Sequence, residues 1–264
     1  MNVRFCPLVS GSSGNSTYIS NGNTHILIDA GISCKQLVEH INQLGIEPSK
    51  IKGLFLTHEH IDHIKGAGVL SRKYNIPVYA TKGTWEGIGN TVGEFAPENI
   101  RIVKSGEMFL VGDLCVKPFE IPHDTLEPVA YSVFTDKHKM TVATDIGHVT
   151  DMIKENIYDS DVLLFEANHD IDMLRNGSYP WSLKKRILGE KGHLSNVASG
   201  EALSEIMNER LKFIFLGHLS SENNEPHRAY ETVEKILESR NIRVGKDVQL
   251  DMASRYSNSM TVEL

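Results

Sequence analysis

The sequence predicts an α/β (α+β) chain built on two β-sheets, each covered by helices. The first third alternates strand-like and helix-like segments, the middle is a succession of short strands, and the last third alternates again. With 264 residues, 40% of them apolar, the chain can bury a sizeable core. It has no repeat, low-complexity stretch or linker, so residues 1–264 read as a single domain.

In order, VRFCPLV (3–9) reads as a strand and SGSSGNST (10–17) as a Gly/Ser loop. TYIS and HILIDA flank Asn21-Gly22, a hairpin signal. SCKQLVEHINQLG has helical spacing, with Gly45 as its stop. The short apolar run IKGLFLT (51–57) leads into THEHIDH (57–63); a helix is expected over 62–74 and a strand over 77–81. NIRIVK, MFLV, LCVKPFEI, VAYSVFT and MTVATD supply the middle strands, with turns at Gly112-Asp113 and 136–139. The buried run VLLFEAN (162–168) precedes helices near 181–190 and 195–210. LKFIFLGH (211–218) leads to a helix at 225–240 and a strand near 247–253.

Several classes are excluded early. No apolar run reaches the ~18–20 residues of a membrane span, and MNVRFCPLVSGSSGNS lacks the build of a signal peptide. Cys6, Cys34 and Cys115 are odd in number and scattered, which argues against a disulfide framework and implies a cytoplasmic location. A net charge of −7 gives no general support for a polyanionic substrate, so such a reading must rest on local charge and metal.

THEHIDH is not the helical zinc-protease motif, because HExxH would need histidine where Asp62 stands. On an extended chain leaving a strand, His58, His60 and Asp62 would point to one side and His63 to the other. Two adjacent ions, each taking a pair, suit that arrangement better than one. Other strand-like runs also end in ligand-type residues: LCVKPFEIPHD in His123, MTVATD in Asp145 and LKFIFLGH in His218. Imidazole and carboxylate suit zinc, manganese or iron.

These residues, in this order along the chain, resemble the metallo-β-lactamase superfamily, and most closely its small YycJ/WalJ (VicX) group. SGSSGNST, EANHD, GHLSN and LGHLSSENN carry the closer likeness. The resemblance implies a four-layer αββα sandwich with two divalent ions, zinc or manganese, along one edge. It assigns His58, His60 and His123 to the first ion, Asp62, His63 and His218 to the second, and Asp145 to both. Asp29 would stand behind them, fixing the cluster loop.

The superfamily spans lactamases, thioesterases, lactonases, oxidoreductases and nucleases, so the fold does not name the reaction. Two close ions suit in-line displacement at phosphorus. Glu166 and His193 are placed like the pair that protonates the leaving oxygen in the superfamily's tRNA-processing nucleases, with His193 as acid and Glu166 as its orienting partner. Residues 175–191 carry five basic side chains against Glu190 alone. Lys184, Lys185 and Arg186 are therefore candidate phosphate contacts, beside Trp181 and Tyr179. Ser12, Asn15, His148, His169, Ser220, Asn223 and Asn224 are further candidate contacts, and the 10–17 loop offers a backbone nest for phosphate. Only about 70 residues separate Asp145 from His218, which leaves no room for a large inserted nuclease domain, and no Gly/Pro-rich arm for gripping tRNA is visible. The resemblance implies a 5′→3′ exonuclease acting on DNA more than RNA. The rival is a metallohydrolase of a thioester, lactone or cyclic nucleotide.

Overall fold

The structure, a computed structural model, describes residues 3–264 and divides into two compact units. The first runs to Glu120 and adds Thr125–His138 and Ser254–Leu264; the second comprises Ile121–Asp124 and Lys139–Ala253.

The first unit opens with β1 (Arg4–Val9), β2 (Ser16–Ser20) and β3 (His25–Ile28), then α1 (Cys34–Gln43), β4 (Ile51–Phe55), α2 (Ile61–Ile64) and α3 (Ala67–Tyr74). It continues through β5 (Val78–Thr81), α4 (Lys82–Ile88), β6 (Ile100–Val103), β7 (Phe109–Val111), β8 (Leu114–Glu120) and β9 (Val129–Phe134). Strands β1 to β6 are neighbours in chain order, antiparallel as far as β3 and parallel from there, and a C-terminal strand at Val262–Glu263 pairs with β1. Strands β7 to β9 form an antiparallel meander.

Helix α1 buries Cys34, Leu37 and Ile41, the three- and four-residue spacing of one helical face. That face shares one hydrophobic core cluster with Leu27, Leu54, Leu70 and Val78. The Ser33 side chain caps its N-terminus by accepting the Gln36 N–H. Across the sheet, Phe55 stacks on Tyr79 at 4.7 Å and meets Tyr131 of β9 edge-on at 5.5 Å. The sheet is thus covered by helices on one face and by the meander on the other, as the alternating and strand-rich stretches predict.

The single helix expected over 62–74 is two helices, α2 and α3. The Gly66 N–H donates to the Ala30 carbonyl at 2.8 Å, and a Cβ there would lie 2.4 Å from the Ile32 carbonyl oxygen. The chain is pinned against the loop after β3 at this point, so the helix cannot run through.

The second unit contains β10 (Lys139–Ala143), α5 (Asp151–Ile157), β11 (Val162–Glu166), α6 (Ile171–Asn176), α7 (Trp181–Ile187) and α8 (Asn196–Ile206). Then follow β12 (Phe213–Gly217), α9 (Pro226–Ser239) and β13 (Gln249–Met252). All four strands are parallel, with Phe165 level with Ala143 on one side and Leu216 on the other. Helices α7, α8 and α9 end short of the expected 190, 210 and 240. Helices α4, α5 and α6, seven residues or fewer, were too short to show a period and are set by the caps Thr81, Thr150 and Asp170. Among the described residues no helix is long and apolar enough to cross a membrane.

Candidate metal centre

Each unit carries its own donor set. In the first, β3 and β4 are parallel, with Ile28 level with Phe55, so both strands deliver their next residues to one edge. Asp29 follows β3, while Thr57 and His58 follow β4. The Asp29 carboxylate accepts the backbone N–H of Thr57 at 2.9 Å, its hydroxyl at 2.9 Å and the Nδ1–H of His63 at 2.8 Å. The Thr57 hydroxyl, donating to Asp29, accepts Nδ1–H of His58 at 3.0 Å. Both histidines are thereby fixed in the tautomer whose Nε2 carries a lone pair for a metal. Asp29 is buried; burial pushes its carboxyl up, against the pull of His63 and Thr57.

The chain does not stay extended through this motif. His60, with φ −62° and ψ 143°, is the N-cap of α2, and the helical turn carries Asp62 and His63. His58 Nε2 lies 3.2 Å from His60 Nδ1, and His63 Nε2 lies 3.7 Å from Asp62 Oδ2. Two ligands at ~2.0–2.1 Å on a tetrahedral zinc stand roughly 3.3 Å apart, so each pair fits the edge of a coordination shell.

In the second unit the parallel register brings the ends of β10, β11 and β12 to one edge, where such sheets hold ligands. Glu166 ends β11, Asp145 lies two residues beyond β10, and His218 directly follows β12. Asp145 and His218 adopt left-handed backbone angles, φ 62° and 56°, as Asp29 does at 62°. Glu166 is fully buried and uses both oxygens: Oε1 accepts Nδ1–H of His193 at 2.8 Å and of His218 at 2.9 Å, and Oε2 accepts the N–H groups of Ile146 and Leu194 at 2.8 and 3.0 Å. Burial alone would raise its pKa, but His193 and His218 outweigh it and hold the carboxyl well below the usual range. One oxygen of Asp145 stands 3.4 Å from His218 Nε2 and 3.8 Å from His123 Nε2. His123 donates its Nδ1–H to the Gly192 carbonyl at 3.3 Å, which again leaves Nε2 as the donor atom. Asp145 therefore faces two histidines at ligand-edge distances, as a bridging carboxylate would.

The asparagines that lock these loops were not read in that role from the sequence, Asn224 being expected as a substrate contact. Asn196 and Asn224 exchange amide hydrogen bonds at 3.0 and 2.8 Å, Asn224 also donates to the Ala167 carbonyl at 2.9 Å, and Asn168 donates to the His218 carbonyl at 2.9 Å. They tie the segments EANHD, GHLSN and LGHLSSENN together, so the asparagines in those motifs were the available signal. Thr57 was legible only as the residue before His58.

Several expected substrate contacts are engaged elsewhere. Lys184 is buried, and its ammonium donates to the carbonyls of Arg175 and Gly177 at 2.8 and 2.7 Å; it fastens α6 to α7 and is corrected to a structural role. Asn15 is corrected too: it is buried, with Nδ2 3.1 Å from His63 Nε2, and its Oδ1 accepts the Gly11 N–H at 3.0 Å. The backbone nest expected in the 10–17 loop is not available as such, since the amides of Gly11, Gly14 and Asn15 bond within the loop or to Asp62. Asn223 is buried against Ser220. Arg186 pairs with Asp124, which neighbours His123. Lys185 reaches over the exposed Trp181 ring at 5.9 Å, and Ser12 is exposed. His148 bonds the Glu190 carbonyl. His169 is buried, and burial takes its pKa down to about 4.

Residues 24–214 match the family model described as the Beta-lactamase superfamily domain. The chain is 37% identical over 250 residues to the exodeoxyribonuclease YycJ of Bacillus anthracis, covering 95% of each protein. It is 37% identical to the exodeoxyribonuclease WalJ of Streptococcus pneumoniae, over 94% of this chain and 93% of that one. Among solved structures, the metallo-β-lactamase fold protein YhfI from Bacillus subtilis superimposes over 100% of both chains with a TM-score of 0.76 at 13% identity, a likeness of fold alone. With the fold class read from the sequence thus matched over the whole chain, the protein belongs to the β-lactamase superfamily, in the group of the YycJ and WalJ proteins.

Proposed function

We propose that this protein is a metal-dependent exodeoxyribonuclease whose two units make up one hydrolase domain. In this reading His58, His60 and His123 hold one divalent ion, Asp62, His63 and His218 hold another, and Asp145 serves both. Zinc or manganese fits the nitrogen and oxygen donors. When bound, such a pair activates water and neutralises charge at the phosphorus under attack.

The observation that carries the proposal is the shared oxygen of Glu166. One carboxylate fixes the ligand tautomer of His218 and, through the same atom, holds Nδ1–H of His193. His193 then presents Nε2 as the proton donor to the departing oxygen, the need of a poor alkoxide leaving group. The relatives named exodeoxyribonucleases support DNA over RNA as substrate, and attack from the 5′ end is what the YycJ/WalJ resemblance implies. The three free cysteines suit a cytoplasmic enzyme.

The test is end-labelled single- and double-stranded DNA and RNA, labelled at either terminus, with manganese and zinc in parallel. DNA degradation that starts at the 5′ end, needs the metal and is lost in Asp62→Ala is the expected result. No cleavage of any polymer by metal-loaded protein would overturn it and turn attention to thioesters, lactones and cyclic nucleotides.

A further inference from the structure

Two cationic side chains, Lys65 and Arg255, and the His40 imidazole, none of them used by the proposed chemistry, line one small cavity in the first unit. The cavity has a volume of about 200 Å³, and its polar lining is Ser13, Gln36, His40, Lys65, Arg255 and Tyr256. No carboxylate is among its described lining residues. Three larger cavities differ in carrying both signs of charge: Glu209 and Asp247 beside Lys212 and Lys246, Asp113 and Asp136 beside Lys137, and Glu155 and Glu205 beside Lys154. In a chain of net charge −7, a cavity with this one-sided lining is a local anion trap. Its volume is below the ~300 Å³ at which pockets for drug-sized ligands begin, and it suits a phosphate group better than a whole nucleotide.

The walls are fixed. Asn15 pins the 10–15 loop by bonding both the N–H and the carbonyl of Gly11, at 3.0 and 3.1 Å. The Arg255 guanidinium lies against this loop: a Cβ on Gly11 would stand 3.1 Å from it, and Nη1 is 3.4 Å from the Ser12 hydroxyl. His40 is held through Nδ1 by the Asn258 side chain at 2.8 Å. Tyr256 is 81% exposed, an aromatic face at the cavity on which a base can stack.

The cavity also adjoins the ligand loop. Lys65 is two residues from His63, so their Cα atoms are no more than about 7.6 Å apart. Ser13 is two residues from Asn15, whose amide touches His63 Nε2 and whose N–H donates to the Asp62 carbonyl at 2.8 Å. Resting on the nuclease reading above, we propose that this cavity is a phosphate subsite for the substrate strand. Lys65 and Arg255 take the phosphate next to the scissile one, or one further along, and Tyr256 stacks the attached base. A phosphate clamped by a side chain two residues along from His63 positions the strand, as contacts to phosphates do.

The test compares wild type with Lys65→Ala/Arg255→Ala on two substrates, an oligonucleotide and bis(4-nitrophenyl) phosphate, which has no flanking phosphate. The expected result is an at least tenfold fall in the ratio of kcat/KM for the oligonucleotide to that for the small diester. The salt dependence of kcat/KM should flatten by about one unit of log–log slope, and Arg255→Lys should lose less than Arg255→Ala. A single neutral methylphosphonate next to the scissile bond, or one further along, should slow wild type and not slow the double variant further. An unchanged ratio with an unchanged salt slope overturns the subsite, as does inhibition by inorganic phosphate or mononucleotide that is lost in the variant while oligonucleotide cleavage is not. Wild type that cleaves the small diester but no oligonucleotide overturns the nuclease reading as well.

Discussion

The two units solve one problem in different ways. In the first, four donor-type residues, His58, His60, Asp62 and His63, lie within six consecutive positions, and a single buried carboxylate, Asp29, steadies them. In the second, His123, Asp145 and His218 are spread over nearly a hundred residues; the parallel strands β10 and β12 deliver Asp145 and His218, His123 comes from the segment after β8, and Glu166 is the buried carboxylate. The electrostatic outcomes differ as well. Burial dominates at Asp29 and raises its pKa, whereas two histidines at Glu166 overcome burial and lower it. A supporting carboxylate with one imidazole fixes geometry; one with two, of which only His218 is a proposed ligand, can also hold a proton donor in place.

The sharpest way to break this comparison is Glu166→Ala. If Glu166 serves both a ligand and a proton donor, cleavage of DNA should fall by about 10³-fold or more, the combined scale of acid catalysis and outer-shell support, with reduced metal content by elemental analysis. His193→Ala should fall by roughly 10²–10⁴ on DNA with metal content unchanged, and far less on a 4-nitrophenyl ester, whose leaving group needs no proton. Equal losses on both substrates would remove His193 from the acid role. Asp29→Asn should lower metal affinity or activity by about 10–100-fold, read by competition with a chelating dye; a larger effect than that of Glu166→Ala would reverse the ranking of the two units.

A smaller effect concerns His169 in the second unit. Its folded pKa of about 4 lies below the ordinary value of 6.5 because it is buried. Between these values the unfolded chain binds a proton that the folded chain does not, so stability falls as pH drops from about 6.5 toward 4. The loss attributable to His169 is about 2 kcal/mol between pH 7 and pH 5. Urea unfolding at the two pH values should show that difference in wild type and not in His169→Asn. Lys184→Ala, which removes an ammonium bonded to two carbonyls, should cost about 1–3 kcal/mol of stability and leave KM for DNA unchanged. A raised KM would restore Lys184 as a substrate contact.

The same contrast explains what was legible in the sequence. The first donor set is nearly contiguous, so its composition announced a metal site, whereas Asp29 was indicated only by the family resemblance. His123, Asp145 and His218 could be picked out because each follows an apolar run, and their place at strand ends already suggested one shared rim; which atoms meet depends on strand register, which local pattern does not carry. The split between α2 and α3 was invisible because it depends on the close approach of Gly66 to the loop after β3. Lys184 misled for a general reason: a basic run reports charge and not direction, and this ammonium turns inward to carbonyls. The asparagine lock joins segments up to 57 residues apart, beyond the reach of local pattern.

The backbone angles at Asp29, Asp145 and His218 also govern how the site can be dissected. Aspartate, asparagine and histidine enter the left-handed region more readily than other L-residues, and alanine there is destabilising in its own right. Alanine scanning at these three positions would mix a missing donor with a strained turn and overstate what the side chain contributes. Asparagine at 29 and 145 keeps the conformational preference and removes only the charge, and glycine at 218 relaxes the turn while deleting the imidazole. Isosteric or backbone-matched replacement, in place of truncation, gives loss-of-function data here that report chemistry and not folding.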